Sequence, residues 1–406
     1  MLRILITSAF FLCLSFAFAQ EESLHQAQNA TGDSAFHLAQ VDALIRSYQF
    51  NKAIVLLEEF LREYPDHTEG LHKLAACHYN LGNLSKARTK FQDILQIDST
   101  DVVASNRLAT IFMQEKAYKQ AKFYFHRLIR NDSTNSYYYK KLADIEARLG
   151  FTDQAVILYN AALQYNPDDL ESMIALSAIY MEMLDDYPEL KEKYLDVLHR
   201  GFRLDSLNRS LLEIKAKYDF KAKNYRETVN TLDLIFQHHA DTLHYYAGLS
   251  GICHMHLGDL EKAEEWFHYI IDKNEDTELT HYYLGLTYDK MKAYDKAVNH
   301  FKTAIAKGIS ENMFNYYVSL AGAYENIDQL GESIRAYQEA YKYNKQDILL
   351  YKLARNYDTY YEDKRTAIRY YQKFLDQSTT DNPFATYSTQ RISELSEYLH
   401  VIDTLN

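Results

Sequence analysis

"LGNLSKARTKF" at residues 81–91 and "LGDLEKAEEWF" at residues 257–267 share one skeleton, L-G-x-L-x-K-A-x-x-x-F, at a distance of 176 residues. The alanine of that skeleton marks a period. Ala53, Ala87, Ala121 and Ala155 stand 34 residues apart, and Tyr194, Thr228, Ala263, Ala297, Ser333 and Ala367 continue the series at steps of 39, 34, 35, 34, 36 and 34. Four residues after each marker lies a large apolar side chain: Leu57, Phe91, Phe125, Tyr159, Leu198, Leu232, Phe267, Phe301, Tyr337 and Tyr371. About a dozen positions before the marker sits a second small residue, as at Ala75, Ala109, Ala143, Ser177, Ala216, Gly251, Gly285, Ala321 and Ala354. Small residues facing each other let two helices approach closely, and the large side chain one turn on fills the space beside them. The pattern predicts a helical hairpin closed by a short turn, as at Leu81-Gly82-Asn83. A lone hairpin cannot bury both its faces, so neighbours must stack into an array.

The period and its motif resemble tetratricopeptide repeats, whose signature is W-x2-L-G-x2-Y, A-x3-F, P. "LHKLAACHYNLGNLSKARTKFQDILQIDS" (71–99) and "HYYLGLTYDKMKAYDKAVNHFKTAIAKG" (281–308) carry the resemblance most fully. It implies an all-α, right-handed α-solenoid of about ten hairpins spanning residues 34–380. The repeats fall near 34–67, 68–101, 102–135, 136–169, 170–208, 209–242, 244–277, 278–311, 314–347 and 348–380. The fifth holds five extra residues within "EMLDDYPELKEKYLDVL" (182–198), where Pro188 suits the first position of a new helix. After Pro383, Ile392, Leu395, Leu399 and Ile402 share one face, so residues 381–406 read as a capping helix and tail that seals the open end.

Residues 1–19 read as a secretory signal: Arg3, an apolar stretch from Ile4 to Phe16, and an A-x-A cleavage site at Ala17-Phe18-Ala19. Leu12 before Cys13 is too large for a lipoprotein signal. Residues 20–33 are a polar leader. The expected mature chain is exported, periplasmic or secreted, with no transmembrane segment after cleavage. Gly (12) and Pro (4) are scarce, as in an all-helical protein, and 36 tyrosines raise the aromatic share to 14%. A net charge of −12 without basic blocks argues against nucleic acid and against an anionic membrane surface. Cys77 and Cys253 occupy the same repeat position five repeats apart, which excludes a disulfide between them in a solenoid.

Nothing in the chain spells a phosphate loop, a H-E-x-x-H, a C-x2-C or a G-x-S-x-G motif, so neither an enzyme nor a cofactor is expected. Eight of sixteen histidines lie between His238 and His300, and His254 meeting His281 across a helix seam is the one pair considered for a metal. Seam or surface histidines are the plainer expectation.

The resemblance places the working surface on the first helix of each hairpin, in the concave groove. The register puts Tyr79, Asn106, Tyr137, Lys140, Asp144, Lys217, Phe220, Tyr245, Tyr282, Asp289, Tyr351 and Arg355 there. Tyrosine suits recognition, offering a rigid face and a polar tip at low entropic cost. Asp144 stands where the family's carboxylate clamp wants Asn, so clamp function is not expected. The expected role is a protein–protein interaction scaffold for a peptide or partner domain. The alternative is a carbohydrate or peptidoglycan binder in the cell envelope, since tyrosine faces also stack on sugars. Asp-Ser/Thr triplets beginning at Asp33, Asp98, Asp132, Asp205, Asp241 and Asp403 resemble an O-glycosylation acceptor signal of exported bacterial proteins, with Ser34, Ser99, Ser133, Ser206, Thr242 and Thr404 as acceptors. Asp and Ser are equally natural turn and cap residues.

Overall fold

The computed structural model describes residues 38–238, 244–308, 311–378 and 382–405. The signal and leader expectations, Ser34 and Thr242 lie outside these residues. Among them every regular element is helical. The chain divides into two compact units, Met1–Leu204 and Asp205–Asn406.

The first unit contains α1 (38–46), α2 (Phe50–Glu63), α3 (Thr68–Asn80), α4 (Leu84–Ile97), α5 (Val102–Gln114), α6 (Tyr118–Asn131), α7 (Ser136–Arg148), α8 (Thr152–Tyr165), α9 (Leu170–Met183) and α10 (Lys191–Leu204). The second contains α11 (Arg209–Lys221), α12 (Tyr225–His238), α13 (His244–Leu257), α14 (Leu260–Asp272), α15 (Glu278–Lys290), α16 (Tyr294–Lys307), α17 (Met313–Asn326), α18 (Leu330–Tyr343), α19 (Asp347–Tyr360), α20 (Arg365–Gln377) and α21 (Pro383–Leu405). Each odd-numbered helix from α3 to α19 pairs with the even-numbered helix after it, α1 shares a buried cluster with α2, and the hairpins stack within each unit into an all-α repeat solenoid.

All ten marker residues are fully buried, including the bulky Tyr194 and the polar Thr228 and Ser333. The large residue four positions on is buried in every repeat. Burying such a side chain contributes about 1.5–3 kcal/mol. Where the facing seat is glycine, the ring comes closest: a Cβ on Gly285 would stand 2.6 Å from Phe301, and one on Gly251 2.8 Å from Phe267.

The turn inside the hairpin also has a fixed geometry. Five residues before the marker, the backbone is left-handed at Gly82, Gly150 and Gly258, and equally at Tyr48, Lys116, Lys223, Lys292 and Asp328. The glycine of L-G-x-L therefore serves the positive φ. In the fifth repeat Pro188 opens a 3-10 turn, Pro188–Leu190, that runs into α10.

Neighbouring repeats are tied through one register position, three residues after the small seat of the first helix. At six junctions its side chain reaches back to the second helix of the preceding hairpin. Tyr180 meets Asn160, Tyr324 lies under Lys302, and Tyr357 accepts from Gln338. Phe112 lies under Arg88, and the buried Glu146 pairs with Lys122. Tyr288 donates to Glu264 at 2.6 Å and contacts His268 at 3.1 Å.

α21 closes the second unit: Leu395 is buried beside Tyr371 and Phe374, and Ile392 packs against the same cluster. Arg391 bonds the buried Asp358 through Nε at 2.7 Å and Nη2 at 3.2 Å. Changing Arg391 to methionine keeps the stem but strands that carboxylate, with only Lys364 nearby at 3.8 Å. The expected result is a loss of about 1–3 kcal/mol in urea denaturation. An unchanged midpoint would show that the cap is held by its apolar face alone.

Candidate functional site

The groove positions predicted from the register do not share one environment. In the first unit they are engaged locally. Tyr79 lies under the Arg107 guanidinium, 5.3 Å from its centroid, and its hydroxyl accepts from Gln114. Tyr137 packs edge-on to Tyr138 with Lys141 over its ring. Lys140 is bound by Asp169 at 3.0 Å and Glu171 at 2.8 Å, while Asp144 accepts from Lys141 and from the Tyr159 hydroxyl at 2.7 Å. Asn106 is half-buried, its Oδ1 enclosed without a partner.

In the second unit Lys217 and Arg355 are exposed. Tyr351 departs from its groove assignment: it is buried, with Phe384 of α21 stacked on it at 4.5 Å and Tyr387 edge-on at 6.1 Å. The array ends there, and the cap covers the position that Tyr282 occupies in an inner repeat. The side chain of Tyr245 lies outside the described residues.

Tyr282 and Asp289 are brought together. Both line a cleft of about 490 Å³ walled by α13, α15 and α17, with Met255, His256, Leu279, Tyr283, Leu286, Lys290, Asn312, Asn315 and Tyr316. Tyr282 rests against Tyr283, Phe301 and Tyr316, at 4.8 Å from the last. Aromatic packing on several sides fixes its ring. His256 is stacked on Tyr225 at 4.4 Å, and Tyr225 meets Phe220 edge-on, so Phe220 supports the rim. Burial, with Lys290 and Lys223 adding to it, pushes the His256 imidazole down and keeps it neutral. Burial also pushes the Asp289 carboxyl up, opposed by a hydrogen bond from Asn326 and by Lys290. Asp289 makes no ion pair among the described residues.

A second, apolar pocket of about 260 Å³ adjoins this cleft. Leu279 and Tyr283 line both; Gly248, Leu249, Ile252, Phe267 and Ile270 form its apolar wall, and Glu275, Thr277 and Thr280 also line it. The register reasoning missed these residues and the asparagines. Tyr283 was legible as a neighbour of Tyr282, but a pocket opened by a missing side chain leaves no periodic signal.

His254 and His281 are turned to different partners. His254 is buried and turned to Asp259, with Nδ1 3.3 Å from Oδ2. His281 instead contacts Asp276 through Nε2 at 2.8 Å and His300 between the two Nδ1 atoms at 3.0 Å. Among the described residues no group of three or more His, Cys, Asp or Glu is arranged to hold a metal ion. Cys77 and Cys253 are buried thiols, and burial pushes Cys253 up to about 12. Such a thiol is unreactive.

Ser99, Ser133 and Ser206 are exposed in inter-repeat turns whose aspartates already work structurally. Asp98 accepts from the Thr100 amide and hydroxyl, Asp132 from those of Thr134, and Asp205 from the Leu207 amide. Thr404 sits inside α21 and donates to backbone carbonyls of His400 and Val401.

Stacked hairpins with fixed small seats, a left-handed turn residue and a recessed aromatic cleft define a helical-repeat scaffold. The profile described as "Tetratricopeptide repeat" matches residues 38–102, and the described hairpins form an all-α repeat solenoid of that kind. It is 24% identical over 65% of its length to the TPR repeat-containing protein MJ1428 of Methanocaldococcus jannaschii, and 23% identical over 76% to the anaphase-promoting complex subunit CDC16 of Saccharomyces cerevisiae. It spans 50% and 38% of those relatives' lengths. A crystal structure of a tetratricopeptide repeat protein from Parabacteroides merdae superposes with a TM-score of 0.43 at 15% identity, covering 63% of this chain and 98% of that one.

Proposed function

We propose that this chain is an exported interaction scaffold that holds a peptide or partner-domain segment in the cleft around Tyr282 and Asp289. The observation that carries the reading is the cleft itself, where two register-predicted residues meet beside a rigid aromatic wall and a half-buried carboxylate. Affinity would come from a few aromatic anchors, with charged neighbours setting register. Export rests on the Arg3, apolar and Ala17-Phe18-Ala19 sequence; among the described residues no helix is long and apolar enough to cross a membrane. Ser99, Ser133 and Ser206 are the accessible candidates for glycan attachment in an exported chain.

A photo-crosslinking residue placed at Tyr282 in the cell tests the scaffold, with the exposed Arg335 as a reference site. A discrete protein adduct at position 282 that is absent at 335 is the expected result. Adducts of equal pattern at both positions would remove the cleft assignment. Cell fractionation with intact-mass measurement reports cleavage after Ala19 and any added sugar. Salt-insensitive co-sedimentation with cell-wall polymer, without a protein adduct, would replace this reading by the carbohydrate one.

A further inference from the structure

We infer that the cleft selects a peptide carrying an aliphatic side chain and, about three residues along it, a lysine or arginine. This rests on the peptide-binding reading above and specifies its ligand.

The aliphatic half follows from Gly248. A glycine within a helix costs about 1 kcal/mol relative to alanine, so its presence calls for a reason. Gly251, one turn on, has a steric one in the Phe267 ring. Gly248 does not: a Cβ there would meet only Ile270 Cδ1 at 3.7 Å, an ordinary contact. What the missing side chain does is leave open the pocket walled by Leu249, Ile252, Phe267 and Ile270. That apolar wall accepts a saturated side chain, and Glu275, Thr277 and Thr280 line the rest of the pocket.

The cationic half follows from Asp289. Its carboxylate is half-buried, accepts from Asn326 and has no ion pair among the described residues, and an incoming cation would restore the favourable charge environment that burial removes. Lys290 also lines the cleft but is exposed, where its field is screened by solvent. The neutral His256 adds no opposing charge.

Helix geometry sets the spacing. Tyr283, shared by both cavities, and Asp289 lie six residues apart on α15, or about 9 Å along the axis. An extended peptide covers that distance in about three residues.

The test uses a fluorescein-labelled Gly/Ser peptide bearing one leucine and a lysine about three positions on, against a Lys-to-Glu and a Leu-to-Ala version, read by anisotropy. The parent peptide is expected to bind at least about tenfold more tightly than either control. Asp289→Asn should erase the lysine/glutamate difference while keeping the leucine/alanine one. Gly248→Leu should do the reverse: it plugs the pocket and suits the helix, so unchanged circular dichroism is expected. Equal binding of all three peptides, still weakened by Tyr282→Ala, would overturn the anchor-and-cation assignment and leave the groove reading standing. Binding that ignores Tyr282→Ala, or no binding of any peptide, would overturn both.

Discussion

Ala121→Asp is expected to destabilise the first unit by about 3–5 kcal/mol. Ala121 is fully buried where α6 crosses α5, with Ala109 buried on the facing helix and Phe125 one turn away. A carboxylate there would lose its water, and the seat has room for a methyl group only. Phe123→Asp is the control, because Phe123 is 57% exposed two residues along the same helix. The same charge added there should change stability by less than about 0.5 kcal/mol. Urea denaturation followed by circular dichroism reads both. Equal effects at the two positions would mean that the marker alanine is not the inter-helix seat.

Acid should weaken the second unit through His300. This imidazole is pushed down to about 4, chiefly by burial and then by His281, His268 and Lys296, against the attraction of Glu264. Asp276 and Tyr288 complete its surroundings: Asp276 contacts His281, and Tyr288 stacks on His300 at 5.4 Å. In the unfolded chain a histidine takes up its proton near pH 6.5, whereas the folded chain resists until about pH 4. Stability is therefore full at neutral pH, declines as pH falls through that window, and receives no further loss from this group below it. Discounted for partial exposure, the loss is about 2 kcal/mol. Asp276, held low by Lys307 and His281, loses its contribution only on further acidification. The single tryptophan, Trp266, lies in this unit against Phe236 at 4.8 Å, so its fluorescence reports unfolding there. His300→Gln should flatten the pH dependence between about pH 6.5 and 4. A variant as acid-sensitive as the parent would locate the effect elsewhere.

Much of the fold was legible because the array repeats it. The marker positions, seven of them alanine, the large side chains after them and the L-G turns recur ten, ten and three times, and each recurrence limits the others. The left-handed turn residue was legible at Gly82, Gly150 and Gly258 but not at Lys116, Lys223 or Lys292, where the hairpin's closure overrides local preference. Groove positions share a common environment only where translation symmetry holds. Tyr351 departs because the array ends beside it, and Lys140 because Asp169 and Glu171 at the start of α9 reach it. Tyr282 and Asp289 lie on an inner repeat, where register alone suffices to bring them together.

The side chain that six of the hairpins extend to their predecessors makes the stacking within each unit directional. The repeats look alike in outline, yet each of these six carries a key cut for one lock. Exchanging the second and fourth hairpins would set the buried Glu146, now neutralised by Lys122, against Ile54 and Glu58. A carboxylate would then face an alkyl surface and a like charge. Such a chain cannot have its units shuffled freely by recombination. Lengthening or shortening it requires cutting new keys at every junction disturbed, which helps keep the cleft at a fixed place along the array.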